Sequence, residues 1–195
     1  MSFQRVLRGG FVLLVAGTAV IILLILSGIH DPKPIGALVG ERPLFSQNVT
    51  PQTPRITWLE EAIPDGSYSV RLTAVQEAGI TGRGMDVGYG LVLGSDEAHV
   101  AVAVSPLGYL SVWQKTDQKT DIILPWQPWP HVQRDMASNE IWLDVADGNQ
   151  LTIRINREWL WTGEIDQPSG QIGLVAESLG ETAVVNFQTL EIFEE

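Results

Sequence analysis

Two pairs of tryptophans are the residues of this chain whose type and spacing best suit recognition chemistry. Trp126 and Trp129 stand in Pro125-Trp126-Gln127-Pro128-Trp129-Pro130. Proline fixes φ, so this stretch reads as a stiff loop presenting two indoles. An indole face can stack on a sugar ring, anchor a protein partner or sit at a bilayer interface. The same rings could equally cap an open end of the domain. Trp159 and Trp161 lie two apart with Leu160 between them, so on a strand they share one face. That pair suits either a sugar platform or packing at the core rim. Trp113 and Trp142 read as packed against a sheet, and Trp58 fits either role.

Other chemistries lack their residues. There is no cysteine, no G-x-S-x-G and no serine with an evident histidine partner. His30, His99 and His131 are scattered, without the spacing of zinc ligands. Asp96 and Asp147 stand in turns, which accounts for both. No cofactor is expected from these residues. Residues 79–84 (GITGRG) are glycine-rich but lack the lysine and following helix of a phosphate loop.

The elements that position these residues read as strands. From Arg55 onward, short runs of alternating apolar residues are split by Gly, Asp, Asn and Pro. Strands are expected at 55–60, 67–75, 87–93, 99–104, 109–114, 121–124, 140–146, 150–156, 158–162, 171–176 and 182–193. Asp147-Gly148-Asn149 is a hairpin signal, because Asp, Gly and Asn tolerate positive φ. No stretch holds a helical period, though one turn fits near 131–137. Ten or eleven strands at this spacing predict an all-β sandwich or barrel, with the last strand pairing centrally. Residues 30–54, with Pro32, Pro34, Pro43, Pro51 and Pro54, read as an extended linker, part of which could run along the domain as an edge strand.

Ahead of this lies an uncharged run, Gly9 to Ile29. Roughly 20 apolar residues span a bilayer as a helix. Arg5 and Arg8 precede the run, and His30, Asp31 and Lys33 follow it nearly balanced. The expectation is an uncleaved signal anchor over 9–29, with residues 1–8 cytoplasmic and the domain at 55–195 outside the cytoplasm at the cell membrane. A cleaved signal peptide fits less well, since Leu26-Ser27-Gly28 is a poor small-x-small site.

Composition narrows the partners. The chain carries 23 acidic and 12 basic residues; with Arg5 and Arg8 set aside, the rest carries 10 − 23 = −13. Such a surface repels phosphate backbones, so no nucleic-acid partner is expected. A cysteine-free exported domain depends on packing rather than disulfides, which suits a bacterial or archaeal source.

The pattern of strands resembles the concanavalin A-like lectin/glucanase superfamily. Within it, the likeness is to the laminin-G-like and keto-disaccharide-hydrolase-like jelly rolls. It runs over roughly residues 60 to 195. Gly88-Tyr89-Gly90-Leu91-Val92-Leu93 resembles one family strand, and His99 to Val104 and Gly108 to Val112 resemble the next two. Asn139 to Val145, the 147–149 turn and Leu151 to Asn156 resemble the family hairpin, and Ser169 to Leu174 with Ala183 to Phe187 its ending. The family's closing Asn-Gly is Asn156-Arg157 here. The resemblance implies an antiparallel jelly-roll sandwich; some relatives hold one Ca²⁺ at a sandwich edge, which Asp96 and Asp147 could serve here. It also draws attention to Glu164-Ile165-Asp166, since the retaining glucanases of that superfamily carry E-x-D-x-E or E-x-D-x-x-E on one strand. Here Gln167-Pro168-Ser169-Gly170 follows, so the second Glu is missing.

The expected function is a non-catalytic, membrane-anchored binding module for a glycan or protein partner, with Trp126, Trp129, Trp159 and Trp161 as candidate contacts. Two alternatives stand beside it. One is an accessory subunit of a larger membrane complex. The other is a glycoside hydrolase, which the missing acidic pair disfavours.

Overall fold

The computed structural model describes residues 3–27, 31–51, 54–77, 87–117, 119–166, 169–178 and 180–195. The glycine-rich segment 79–84 and His30 therefore lie outside the described residues. The chain divides into two units, Met1–Lys33 and Pro34–Glu195.

The first unit holds one helix, α1 (Phe3–Leu26). Among the described residues, no helix is long and apolar enough to cross a membrane. The first turns of α1 carry Gln4, Arg5 and Arg8. This corrects the expected single-pass location at the cell membrane, with its cytoplasmic N-terminus and extracytoplasmic domain. The charge asymmetry behind it orients a span only where a span exists.

The second unit is all β: β1 (Ala37–Pro43), β2 (Ser46–Val49), β3 (Arg55–Ala62), β4 (Tyr68–Glu77), β5 (Val87–Gly94), β6 (His99–Ser105), β7 (Tyr109–Thr116), β8 (Lys119–Pro128), β9 (Asn139–Ala146), β10 (Gln150–Ile155), β11 (Glu158–Glu164), β12 (Gln171–Ser178) and β13 (Ala183–Glu194). They form two antiparallel sheets. One runs β1-β13-β4-β9-β10-β11, with β2 also on β13, and the other runs β3-β12-β5-β6-β7-β8. The long C-terminal strand β13 is central, between β4 and the β1/β2 pair.

Alternation places the core. Tyr89, Leu91 and Leu93 of β5, Val100, Val102 and Val104 of β6, and Leu110 and Val112 of β7 turn inward. They meet Val70, Leu72, Ile141, Leu143, Ile153, Phe187 and Leu190 from the other sheet. Burial of this apolar area is the main stabilising term in a chain without disulfides. Tyr89 is fully buried, and its hydroxyl accepts from Asn139 Nδ2 at 3.0 Å. Burial pushes its pKa up to about 12, so the phenol stays neutral.

The structure refines the sequence expectations at two elements. Residues 37–43 and 46–49, inside the stretch read as linker with part of it expected as an edge strand, are strands on β13; Gln47 and Val49 alternate inward, and β1 has its one proline, Pro43, at its end. The expected strand 121–124 extends to 119–128, so Pro125 and Trp126 belong to a strand rather than a loop. An edge strand tolerates proline, because half its N–H groups need no partner. Turns form within residues 131–137, as the sequence led us to expect. The 147–149 hairpin forms with Asp147 and Gly148 at φ 52° and 79°.

Candidate functional site: the outer face of the six-stranded sheet

Alternate residues of the β3–β8 sheet point away from the core. Cross-strand register lines them up in rows. One row is Trp58–Gly173–Val92–Ala101–Trp113–Ile122, and the next is Ile56–Val175–Gly90–Ala103–Ser111. Beyond these, Glu177 pairs with Gly88 on one side, and Gly94–His99–Lys115–Thr120 form a row on the other. Apart from Glu177 and His99, the middle strands β12, β5 and β6 thus present only small residues, and β3, β7 and β8 carry the indoles. Val92, Ala101, Ala103 and Val175 are buried beneath Ile56, Trp58, Trp113 and Trp126.

Glycines fix where two rings lie. A Cβ on Gly173 would stand 2.7 Å from Cε3 of Trp58, and one on Gly88 would stand 2.9 Å from Cζ2 of Trp126. Each of these indoles also lies against a carboxyl group. Trp58 Nε1 donates to Asp96 Oδ1 at 2.7 Å, and the Trp126 ring and the Glu177 carboxyl meet over Gly88.

The Trp126–Glu177 contact reveals the curvature of the sheet. Trp126 is on β8 and Glu177 on β12, four strands apart in the sheet order. Flat strands spaced about 4.8 Å apart would separate their backbones by about 19 Å, beyond the combined reach of the two side chains. The sheet therefore curls toward this face, and the small residues of β5 and β6 let the indole cross. Between Trp126 and the sheet edge lies a hollow of about 390 Å³, lined by Ser111, Trp113, Ile122, Pro125, Trp126 and Glu177 together with Pro54 and Thr120. Its lining is mostly apolar with a few convergent polar groups, as in small-molecule sites. Burial raises the Glu177 carboxyl above its ordinary value, and the Trp126 hydrogen bond opposes this in part.

The tryptophans singled out in the sequence do not gather in one place. Trp126 is in the hollow. Trp129 packs on the main core, with its ring 5.7 Å from His131 and its buried Nε1 without a partner. Trp159 is 56% exposed on the edge strand of the other sheet, where its Nε1 donates to Thr162 Oγ1 at 2.9 Å. Trp161 packs on the main core, with its ring over Gly163. Sequence reasoning passed over Trp58, Trp113 and Glu177 as a set. The available signal was the outward register of Gly88, Gly90, Ala101, Ala103 and Ser111, since strands that face outward only with small residues form a floor.

The opposite outer face, on the seven-stranded sheet, is charged and internally paired. Arg71 lies 4.2 Å above the buried Trp142 ring and pairs with Glu191 at 3.3 Å and Glu140 at 3.8 Å. Asp144 accepts from Ser69 at 2.5 Å and pairs with Arg154 at 3.4 Å. Burial raises its pKa, against the pull of both partners.

At the far end of the hollow's sheet, His99 packs edge-on to Trp58 at 6.0 Å, and its Nδ1 lies 2.9 Å from the Ser95 carbonyl. Burial holds its pKa below the ordinary value. Glu164 ends β11 exposed, while Asp166 accepts from Gln114 at 3.3 Å. No cluster of three His, Cys, Asp or Glu suited to a metal occurs among the described residues.

No family model matches the sequence, and no curated protein matches it. Solved structures do match. The carbohydrate binding module CBM66 from Bacillus subtilis superposes with a TM-score of 0.53 at 10% identity, over 79% of this chain and 95% of that one. The carbohydrate recognition domain of Emp47p gives 0.53 at 15% identity, over 83% and 94%. The Aspergillus kawachii β-fructofuranosidase gives 0.53 at 10%, over 80% of this chain but only 27% of the enzyme. At these identities the likeness concerns the fold: this chain has the antiparallel two-sheet architecture found in carbohydrate-binding modules and lectin domains.

Proposed function

We propose that this protein is a non-catalytic glycan-binding module whose site is the concave outer face of the six-stranded sheet. The observation that carries the reading is the hollow beside Trp113 and Trp126, with Glu177 at its end. A sugar ring has an apolar C–H face bordered by hydroxyls. Indoles accept the first, and a carboxyl group or Ser111 can hydrogen-bond the second. The fold shared with CBM66 and the Emp47p recognition domain supports the same reading. Absence of catalysis fits the carboxyl groups: Glu177 is the single carboxyl among the described lining residues, whereas glycoside hydrolysis ordinarily uses two.

The test is a glycan array probed with the full-length chain, followed by titration of any hit against Trp113→Ala and Trp126→Ala. Loss of about tenfold or more in affinity by each variant supports the reading. Binding that survives both changes, or no glycan bound at all, refutes it.

A further inference from the structure

We propose that the hollow selects neutral saccharides over acidic ones, with Glu177 accepting a ligand hydroxyl and repelling carboxylate or sulfate. This rests on the glycan-binding reading and names the ligand class of that same site. The first support is the lining. Ser111, Trp113, Thr120, Ile122, Pro125, Trp126 and Pro54 carry no charge, so Glu177 is the one ionisable group among the described lining residues. An anionic substituent entering there meets a carboxylate and no cation among the described lining residues.

The second support is the disposition of nearby cations. Lys115, in a row of the same face, lines a separate pocket and gives its Nζ to the Asp96 carbonyl at 2.6 Å. Asp117 and Asp166 line that pocket with it. The arginines of the other sheet pair with Glu191, Glu140 and Asp144. The chain beyond Arg8 carries a charge of −13, which disfavours approach of polyanions at low salt.

The third support is hydrogen-bond capacity. A carboxylate offers about four lone-pair sites. The Trp126 ring and the carboxyl group meet over Gly88, which fixes where the group lies. A sugar hydroxyl donating to Glu177 would make a charge-assisted bond while its ring rests beside Trp113. Gln in place of Glu keeps the shape and an acceptor but removes the charge.

The experiment is the full-length chain on an array of neutral, uronic and sulfated oligosaccharides, repeated with Glu177→Gln and, as a second variant, Trp113→Ala. The expected result is binding to neutral glycans only, a loss of about tenfold for Glu177→Gln, and relaxed exclusion of uronic acids by that variant. Uronic or sulfated glycans bound as well as neutral ones, with loss on Trp113→Ala, would overturn the selectivity and leave the glycan-binding reading intact. Neutral binding unchanged in Glu177→Gln would overturn the role of Glu177. No glycan bound by the unaltered chain would overturn both.

Discussion

Trp126 lies across Gly88 at a distance that leaves no room for a methyl group: a Cβ there would stand 2.9 Å from Cζ2 of the indole and 3.0 Å from Cγ and Oε1 of Glu177. The glycine is what allows a ring from the sheet edge to reach a carboxyl group four strands away. Gly88→Ala is therefore expected to push the indole and Glu177 apart. The strand itself suffers little, because Ala suits a β-strand at least as well as Gly and the position faces away from the main core. Stability should change by about 1 kcal/mol or less, while glycan affinity falls several-fold and the tryptophan emission shifts. A Gly88→Ala variant with unaltered emission would show that the indole does not depend on this gap.

Glu177 should also set a slope in stability against pH. Its folded pKa is raised by burial. A raised carboxyl binds protons in the folded state that the unfolded chain has already lost. Its contribution is fully present below the unfolded carboxylate pKa and is lost as pH rises through the folded value. No other ionisable group is among the described residues lining the hollow. Glu177→Gln is thus expected to raise the Tm slightly at neutral pH and to flatten this slope just above the ordinary carboxylate range. Thermal melts between pH 4 and about pH 8 check it. A variant that lowers Tm throughout would show that the ionised carboxylate stabilises the fold. A gain in stability together with a loss in binding is the pattern of a residue kept for function.

Much of the sandwich was legible because strand period and core burial depend on the same alternation. Tyr89, Leu91 and Leu93 are apolar because they face the core, and the sequence pattern displays that directly. The site was less legible because its signal is a lack of bulk. Gly88, Gly90 and Ala103 look like weak strand residues until the register sets them side by side. Trp126 was read as a loop residue from its flanking prolines, since nothing local says that the strand is at an edge. Residues 37–49 were read as linker with an edge strand in part, but the strand's partner was not legible, because their hydrogen bonds go to β13, some 140 residues later in the chain.

That long-range pairing is supported by one buried serine. Ser69 accepts from the Ile35 N–H at 2.7 Å and donates to Asp144 Oδ1 at 2.5 Å. It therefore connects the start of the domain to the central strands β4 and β9. Ser69→Ala removes both partners at once and leaves a buried carboxylate short of a donor. The expected cost is about 2–3 kcal/mol, read as a lower urea midpoint with unchanged slope. A cost below about 0.5 kcal/mol would indicate that water replaces the hydroxyl at no penalty.

The β10–β11 turn holds the last expectation. Asn156 and Arg157 both adopt positive φ, 53° and 72°. The asparagine tolerates this and is well held. Its Oδ1 accepts from the Glu140 N–H at 2.8 Å, and its Nδ2 donates to the His131 carbonyl at 2.7 Å. The arginine has a Cβ that the left-handed region disfavours, by about 1 kcal/mol or more. Its ion pair with Glu140, at 3.7 Å and half-exposed, offsets only a fraction of that. Arg157→Gly is therefore expected to stabilise the protein by about 0.5–1 kcal/mol, a rise of a few degrees in Tm, with glycan binding unchanged because the turn belongs to the other sheet. A drop in Tm would mean that the side-chain contacts of Arg157, the Glu140 pair among them, outweigh the backbone strain, and Arg157→Asn, which loses them but tolerates the φ, would then fall as well.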